Sequence, residues 1–398
     1  MDNILQNKKN KNIIVVYLYV LISAFLFAKP ILKVFGLYFN WIDELIVLLL
    51  GVCLLLYKSS LKFRELLITS SVLFFFLLYS LVIHTNVVNA VILDFFIFFK
   101  PFVAFYAAYF IPIKISQKTC LTLYVFFAIL GFGCWILFLG HNFFDVDTKE
   151  LYPISLYVSS AFIFFSKGDK KTFRLSLFFL LPPLIFMLLL GGGNIRSKFI
   201  CEFVLFIYIF FFLKKKITFK LSWIVLLSLL TSLMIYLTWG KFNRYFIEGD
   251  DDIPRIALYQ NSVNVFRDYF PLGPGYGTYA TEAAARYYSP LYYRYGMHKI
   301  WGLSPQSYGN TGHNFLNDTF YPILVQFGIF GPLLWIVFWR TRWKEALFIP
   351  LTNYKLFLFS FLVIMIQCVA ANSFTGEMGI PCMMMIGFAL NSHLQKGF

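Results

Sequence analysis

The chain has 398 residues, of which 60% are hydrophobic and 13% are charged, and its formal net charge is +15. This composition excludes an ordinary water-soluble domain, because no soluble core needs so much apolar sequence. Apolar runs of about 20 residues recur along the chain, and that is the length needed to cross a hydrocarbon core of about 30 Å. The sequence therefore predicts an all-α polytopic membrane protein.

The predicted elements follow one another as about twelve transmembrane helices. They occupy residues 13–30, 41–57, 66–84, 89–112, 119–139, 152–166, 173–190, 197–213, 221–238, 313–338, 353–371 and 377–392. This gives three regions, which are transmembrane helices over 1–239, one large extracytoplasmic loop over 240–312, and transmembrane helices again over 313–398.

The orientation follows from lysine and arginine, which concentrate in the cytoplasmic loops of membrane proteins. Basic clusters lie at residues 8–11, 58–64, 167–174, 214–220 and 340–344, in loops on one side of the predicted membrane. We therefore expect both termini in the cytoplasm and residues 240–312 outside it. The positive charge is explained by this topology and does not indicate a nucleic-acid-binding protein.

Two charges, Asp94 and Lys100, lie inside the predicted span 89–112. Charges within a span are expensive and are usually functional. Lys100 is followed by Pro101, so an alternative is that the pair marks a kink that opens onto a water-filled groove.

A short predicted outer loop, GGGNIRSK at residues 191–198, carries Arg196 and Lys198 against the charge rule. Glycines let the backbone approach a ligand, and amide groups near a helix start attract anions. The sequence thus favours an anion site here. The alternative is a glycine turn with cations that extend to the membrane surface.

The large loop holds eleven of the 25 tyrosines, which argues against disorder. Residues 256–270 have an amphipathic helical pattern, with Arg255 at the start and Arg267 near the end. The GPGYG sequence at 273–277 is superficially similar to a phosphate loop, but a tight turn is the simpler interpretation. The acidic run at 248–252 favours a solvated turn over a metal site.

The predicted span 313–338 opens with polar side chains, which are His313, Asn314, Asn317 and Asp318. His313 and Asn317 are four residues apart, so on a regular helix the amide would orient the imidazole. Asp318 would reach the ring only if the helix starts late or bends. The alternative is an interfacial histidine with Asn and Asp capping backbone amides.

Taken in order, these features resemble the O-antigen polymerase and O-antigen ligase superfamily of bacterial envelope glycosyltransferases, which have a GT-C-like architecture. The resemblance rests on Arg196 after a glycine-rich helix end, on the Arg255-led segment that ends in PLGPGYG, and on His313-Asn314 before QFGIFG. The YYSPLYYRYG sequence is closer to the polymerase branch. Members of the family often carry glutamate where this chain has Gln326, which puts a carboxylate at that position in doubt.

The resemblance implies a metal-independent and cofactor-independent transfer of glycan from undecaprenyl pyrophosphate, on the periplasmic side of the bacterial inner membrane. It implies that Arg196 and Arg255 hold the pyrophosphate with Lys198 or Arg267 in support, and that His313 is the base, held by Asn314 or Asn317. Arg286, Arg294, Trp301 and the loop tyrosines would cover the sugar chain. Gly275 and Tyr276 are further candidates for contact with the substrate.

The acceptor would be the next lipid-linked repeat unit, and the other implied partners are membrane lipid, a chain-length regulator and a flippase. Three alternatives stay open. The first is an O-antigen ligase that transfers glycan to lipid A–core, the second is a flippase for lipid-linked oligosaccharide, and the third is a structural scaffold. A flippase would need several polar residues along its spans and usually internal repeats.

Overall fold

The computed structural model describes residues 51, 63–110, 125, 129, 204–217, 253–308, 314–376 and 378–394. Every regular element among them is helical. The α-helices are α1 (Phe63–Ile83), α2 (Val88–Phe110), α3 (Pro254–Asp268), α4 (Glu282–Arg286), α5 (Pro290–Arg294), α6 (Phe330–Ala346), α7 (Leu351–Ala370) and α8 (Gly379–Leu394). Short 3₁₀ helices cover Met297–Lys299, Pro305–Ser307 and Tyr321–Phe327, and a π-helix covers Tyr208–Phe212.

Three of the described helices, α1, α2 and α7, are long and apolar enough to cross a membrane. They confirm the predicted helices at 66–84, 89–112 and 353–371 to within a few residues, and the shorter apolar α8 matches 377–392. The predicted spans at 13–30, 152–166, 173–190 and 221–238 lie outside the described residues, and those at 41–57, 119–139 and 197–213 are described only in part.

The core of the described helices is centred on α2, which packs against α1 and α8. Small side chains on α2 allow α8 to approach closely, as in other membrane helix pairs. A Cβ atom added to Gly387 of α8 would lie 2.5 Å from the carbonyl oxygen of Phe105 on α2. Asn391 strengthens the contact by donating a hydrogen bond to the carbonyl oxygen of Tyr109, at 2.7 Å.

The prediction of one continuous helix over 313–338 is wrong. The described residues 314–320 contain no helix, the 3₁₀ helix Tyr321–Phe327 follows, and α6 begins only at Phe330, after a bend of 114°. Gly328 makes the bend possible with a positive φ of 53°. The freed amide of Ile329 donates to the carbonyl oxygen of Pro271 at 3.0 Å. Counting the bent pair as one span gives four candidate spans in the described residues.

Residues 253–308, here called the outer-loop region, form a packed unit rather than an open loop. The predicted amphipathic segment 256–270 is confirmed as α3. Tyr279 and Tyr292 are fully buried, and their hydroxyl groups donate to the carbonyl oxygens of Leu258 and Leu316, at 2.6 and 3.1 Å. Buried tyrosines need such acceptors for the phenol group. One bond thus joins two parts of the region, and the other joins the region to the segment that follows it in sequence.

At the opposite end of the helices, Arg342 of α6 is almost fully buried in an ion-pair cluster. Its guanidinium lies 2.6 Å from a carboxylate oxygen of Glu65 on α1 and 3.1 Å from one of Glu345. It also stacks on the rings of Phe105 and Tyr109 of α2, at 5.3 and 5.2 Å from their centroids. The cluster joins α1, α2 and α6.

Candidate functional site

The GPGYG turn at residues 273–277 is inserted between α1, α2 and the 3₁₀ helix Tyr321–Phe327. Its carbonyl groups accept hydrogen bonds from side chains near the end of α1. The hydroxyl of Tyr79 donates to the carbonyl oxygen of Gly273 at 2.9 Å, and that of Thr85 donates to the carbonyl oxygen of Pro274. The side-chain amide of Asn86 donates to the carbonyl oxygen of Gly277. The turn is therefore fixed by the helices beneath it.

The amide groups of the same turn are also occupied. They donate to the carbonyl oxygen of Gln326 (from Gly275, 2.9 Å), the hydroxyl of Ser80 (from Tyr276, 2.8 Å) and the carboxylate of Asp94 (from Gly277, 2.7 Å). A phosphate loop needs amides that are free to bind the ligand. The interpretation as a tight turn is confirmed, and the predicted ligand contact at Gly275 is replaced here by a contact within the protein.

Asp94 and Gln326 form a buried pair behind this turn. The amide nitrogen of Gln326 donates to Asp94 Oδ2 at 3.1 Å. Gln326 Oε1 accepts from the backbone amides of Thr278 and Tyr279, at 2.7 and 3.0 Å. In this pair the carboxylate is that of Asp94 on α2, and the amide is that of Gln326. Glutamate often stands at the position of Gln326 in the family that the sequence resembles.

Tyr276 was a candidate for substrate contact, and the structure places it in the core. Its side chain is fully buried, and its ring packs edge-on against Phe95, Phe98 and Phe327, at centroid distances of 5.9, 5.9 and 4.9 Å. α2 runs as one helix from Val88 to Phe110, with Pro101 inside it. In this conformation Tyr276 positions the turn rather than facing a ligand.

Arg255 and Asp318 form an ion pair at the N-terminal end of α3. Arg255 Nε lies 2.6 Å from Asp318 Oδ2, and Nη2 contacts the same oxygen. The guanidinium carbon is 5.7 Å from the ring centroid of Phe315, and that ring is 5.7 Å from the ring of Trp301. About a third of the Arg255 side chain remains exposed (33%), so the charge is both held and accessible. This ion pair was not predicted from the sequence.

Glu282, at the start of α4, accepts hydrogen bonds from Asn317 at 2.6 Å and from the hydroxyl of Tyr308 at 2.8 Å. Arg286 lies 3.6 Å from the same carboxylate and donates to Tyr308 at 3.0 Å. Burial raises the pKa of Tyr308, and the hydrogen bond that Arg286 donates to Tyr308 raises the pKa of Arg286. Glu282 was missed because nothing in its local sequence, TEAAAR, suggests a site.

Asn314 or Asn317 was predicted to hold His313, and Asn317 was expected to share a helix face with it. Neither is helical, so the four-residue argument is wrong: Asn314 accepts from the amide of Leu316 at 3.2 Å, and Asn317 binds Glu282. Asn314 therefore caps local backbone, as the alternative interpretation expected. His313, Arg196, Lys198 and the acidic run 248–252 lie outside the described residues.

The remaining cations do not converge on Arg255. Arg267 lies in the last turn of α3, twelve residues from Arg255, and a rise of 1.5 Å per residue separates them by roughly 18 Å. Arg294 lies near that same end, where it donates to Tyr269 at 2.8 Å and lies 3.7 Å from Asp268. The structure therefore brings Arg255 together with Asp318, and Arg286 with Glu282 and Asn317.

An apolar cavity of about 300 Å³ lies between α1, α2 and α6. Aromatic and aliphatic side chains line most of it, with Phe320 and Phe374 at one end and Glu65 and Arg342 at the other. Phe320, at that first end, is two residues from Asp318 in sequence.

Compared with models of known protein families, with curated proteins and with solved structures, this chain matches none.

Proposed function

We propose that this protein is a surface-polysaccharide polymerase, which transfers glycan from undecaprenyl pyrophosphate onto the next lipid-linked repeat unit. The proposal is carried by a partly exposed arginine, Arg255, held by Asp318, together with an apolar cavity whose lining includes Phe320, two residues from Asp318 in sequence. A lipid pyrophosphate has the matching parts, because its anionic head needs cations and its isoprenoid chain needs an apolar groove.

Arg255 suits the leaving group. As the acceptor hydroxyl oxygen bonds to the anomeric carbon, the bond from that carbon to the phosphate oxygen breaks and the pyrophosphate takes the electron pair. A guanidinium stays charged and binds phosphate oxygens through two parallel hydrogen bonds. Asp318 holds Arg255 in place before the lipid arrives, and a preorganised cation of this kind is worth about 3–4 kcal/mol of barrier.

The cavity suits the lipid chain. On α1 alone its lining runs from Glu65 to Phe76, which at 1.5 Å per residue is roughly 16 Å of helix. Its lining offers little for a sugar or an ion to bind, because most of the lining side chains are apolar. An isoprenoid chain that enters beside Phe320 leaves its pyrophosphate close to Asp318 and Arg255.

The acceptor hydroxyl has to lose a proton, and His313 remains our candidate base, with a contribution of about 10²–10⁴-fold. Glu282 supports this assignment indirectly, because its two closest partners, Tyr308 and Asn317, lie on either side of His313 in the sequence. We assign Glu282 as a positioning residue. Arg196 and Lys198 remain candidates for the second phosphate.

A double-mutant cycle on Arg255 and Asp318 tests the proposal, with purified protein in bilayers and synthetic lipid-linked repeat units as substrate. Arg255→Ala should lower the rate of chain growth by about 10²–10³-fold, and Arg255→Ala/Asp318→Ala should not recover it. Asp318→Asn should retain much of the activity. The matched control is Arg340→Ala, an exposed arginine of α6 that has no part in the proposed site.

If the double variant regains the wild-type rate, the pair is only structural and the proposal fails. The rival ligase makes a different prediction in cells. Loss of a polymerase leaves lipopolysaccharide capped with single repeat units, whereas loss of a ligase leaves bare core. Wild-type polymer from Arg255→Ala cells would favour a scaffold over an enzyme.

A further inference from the structure

The helix α3 carries three different faces. At about 100° per residue, the buried side chains Ala257, Leu258 and Val265 fall on one face. The polar side chains Gln260, Asn264 and Arg267 fall on a second. The apolar side chains Tyr259, Val263 and Phe266 fall within a sector of roughly 60° between them. Together with Phe270, just after the end of the helix, they are here called the apolar stripe.

The apolar stripe is exposed in large part. Tyr259 is 38% exposed, Val263 is 58% exposed and Phe270 is 59% exposed. Single exposed apolar side chains are normal on any protein surface. Here Tyr259, Val263 and Phe270 follow one another along the helix and its C-terminal end, and the fully buried side chains fall on a different face. Phe266 is half-buried and packs against the core at the edge of the stripe.

A hydrogen bond fixes the height of the stripe relative to the membrane helices. The hydroxyl of Tyr259 donates to the carbonyl oxygen of Val369 at 2.9 Å. Val369 is the last residue of the candidate span Leu351–Val369, and it is itself 57% exposed. The stripe therefore continues onto the end of a membrane-length helix, which is the level at which the hydrocarbon core gives way to lipid headgroups.

The three faces suit a bilayer surface better than a protein partner. A stable protein interface buries roughly 800 Å² on each side, which is much more than a stripe of four side chains presents. A helix that lies in the membrane surface needs an apolar stripe toward the acyl chains and a polar face toward water. Tyrosine is also typical of that level in membrane proteins.

We propose that α3 lies in the outer surface of the membrane, with the apolar stripe inserted among phospholipid acyl chains and the polar face toward water. This arrangement holds Arg255, in the first turn of α3, at the level of the lipid phosphates. The proposal does not depend on the chemistry in "Proposed function", because it concerns bulk phospholipid rather than the glycan donor.

Photo-crosslinking of the full chain in phospholipid nanodiscs tests the proposal. A benzophenone amino acid replaces Tyr259, Val263 or Phe270 on the stripe, and Gln260, Asn264 or Arg267 on the polar face, one position at a time. Mass spectrometry then measures the fraction of protein that carries a covalently attached phospholipid. We expect several-fold more lipid adduct at all three stripe positions than at the three polar positions.

Equal adduct yields on the two faces, or adducts at the stripe to another part of this chain or to a second copy, would overturn the proposal. In whole cells, stripe adducts to a different protein would overturn it in favour of a partner surface. The readout needs no glycan transfer, so an inactive protein with the expected adducts would count against the polymerase proposal alone.

Discussion

At the residue scale, the outer-loop region depends on acidic side chains that each join two segments. Glu282 joins α4 to the segment at 314–318, and Asp268 joins the end of α3 to Tyr295 through a hydrogen bond of 2.8 Å. The two carboxylates have similar exposure and each has an arginine and a tyrosine as partners. They differ in what they hold, because only Glu282 contacts the segment that carries Asp318.

We therefore expect Glu282→Ala and Asp268→Ala to lower thermal stability by similar amounts but to differ in activity. If the proposed function is correct, Glu282→Ala should slow glycan transfer by roughly 10- to 100-fold, because misplacing a site by about 1 Å has that effect. Asp268→Ala should stay near the wild-type rate. Steady-state kinetics on lipid-linked repeat units make the comparison, and equal rates for the two variants would remove Glu282 from the site.

The buried pair of Asp94 and Gln326 allows a test by exchange of acid and amide. Gln326→Glu removes the amide donor and places a second carboxyl group beside Asp94, so that one of the two has to stay protonated, which should cost about 1–3 kcal/mol of stability. Asp94→Asn/Gln326→Glu restores one acid and one amide, and should regain most of the loss. The measurement is the temperature at which the detergent-solubilised protein stops eluting as a single peak in gel filtration.

If the double variant is no more stable than Gln326→Glu alone, the pair does not act as a unit. A recovery would also account for the departure from the resembled family. It would mean that the pair needs one carboxylate, which in this chain is that of Asp94 on α2.

Buried tyrosines give the outer-loop region a predictable response to pH. Burial raises the pKa of Tyr279 and of Tyr292 above the usual value of 10.0. A raised pKa in the folded state means that the neutral phenols contribute full stability below pH 10 and lose it as pH rises further. Resistance of residues 253–308 to protease should therefore hold up to about pH 10 and fall above it.

Tyr279→Phe serves as the control for this transition, because it removes one of the ionisable groups. The variant should be less stable at neutral pH, since it loses the hydrogen bond to Leu258, but its alkaline transition should move to higher pH. A transition below pH 9 in the wild type would mean that other groups govern the unfolding of this region.

At the scale of the elements, the GPGYG turn shows how closely a loop and a membrane helix approach each other. Gly277 has a φ of +72°, and a Cβ atom there would lie 2.8 Å from the backbone of Ala90 on α2. Gly296 has the same φ of +72°, but nothing lies within 4 Å of its would-be Cβ. A substitution at Gly296 thus tests backbone strain alone, whereas the same substitution at Gly277 tests backbone strain together with close packing.

Gly296→Ala should cost only the ~1–2 kcal/mol of a left-handed residue. Gly277→Ala should cost clearly more, because α2 or the turn has to move as well. Thermal unfolding of the two variants in the same detergent makes the comparison. Equal losses of stability in the two variants would mean that the turn can move away from α2 at little cost in stability, and that its contacts with Asp94 and Ser80 are weak.

The sequence predicted an element correctly where its local hydrophobic pattern was enough to determine its conformation. It failed where contacts with residues distant in sequence determine the conformation. The spans at α1, α2 and α7 and the amphipathic α3 followed from hydrophobic period and length alone, and so did the placing of Arg255 at the start of α3. The span at 313–338 failed because its polar opening bonds to Arg255 and Glu282, more than thirty residues away in sequence. No local pattern reports such partners.

At the scale of the whole molecule, the cluster around Arg342 fastens three helices at the end opposite the outer-loop region. Arg342→Met leaves Glu65 and Glu345 without their cation, and breaking a buried pair in this way costs about 3–5 kcal/mol. Arg340→Met is the matched control, because it removes the same charge from an exposed position of the same helix. Thermal unfolding in detergent should separate the two variants clearly.

A third variant, Glu65→Gln/Arg342→Met/Glu345→Gln, removes the charges together and should recover much of that loss. Similar stability for the Arg342→Met and Arg340→Met proteins would contradict the buried position of the cluster. A triple variant as unstable as Arg342→Met would show that the glutamates have further roles.

The break between Phe327 and Phe330 has a consequence for how the chain is made. The amide of Ile329 and the carbonyl group of Gln326 find their partners in Pro271 and Gly275, in a stretch that leaves the ribosome some fifty residues earlier. These partners have therefore already been synthesised when the bent segment emerges, so the bend at Gly328 can close as soon as the two segments meet.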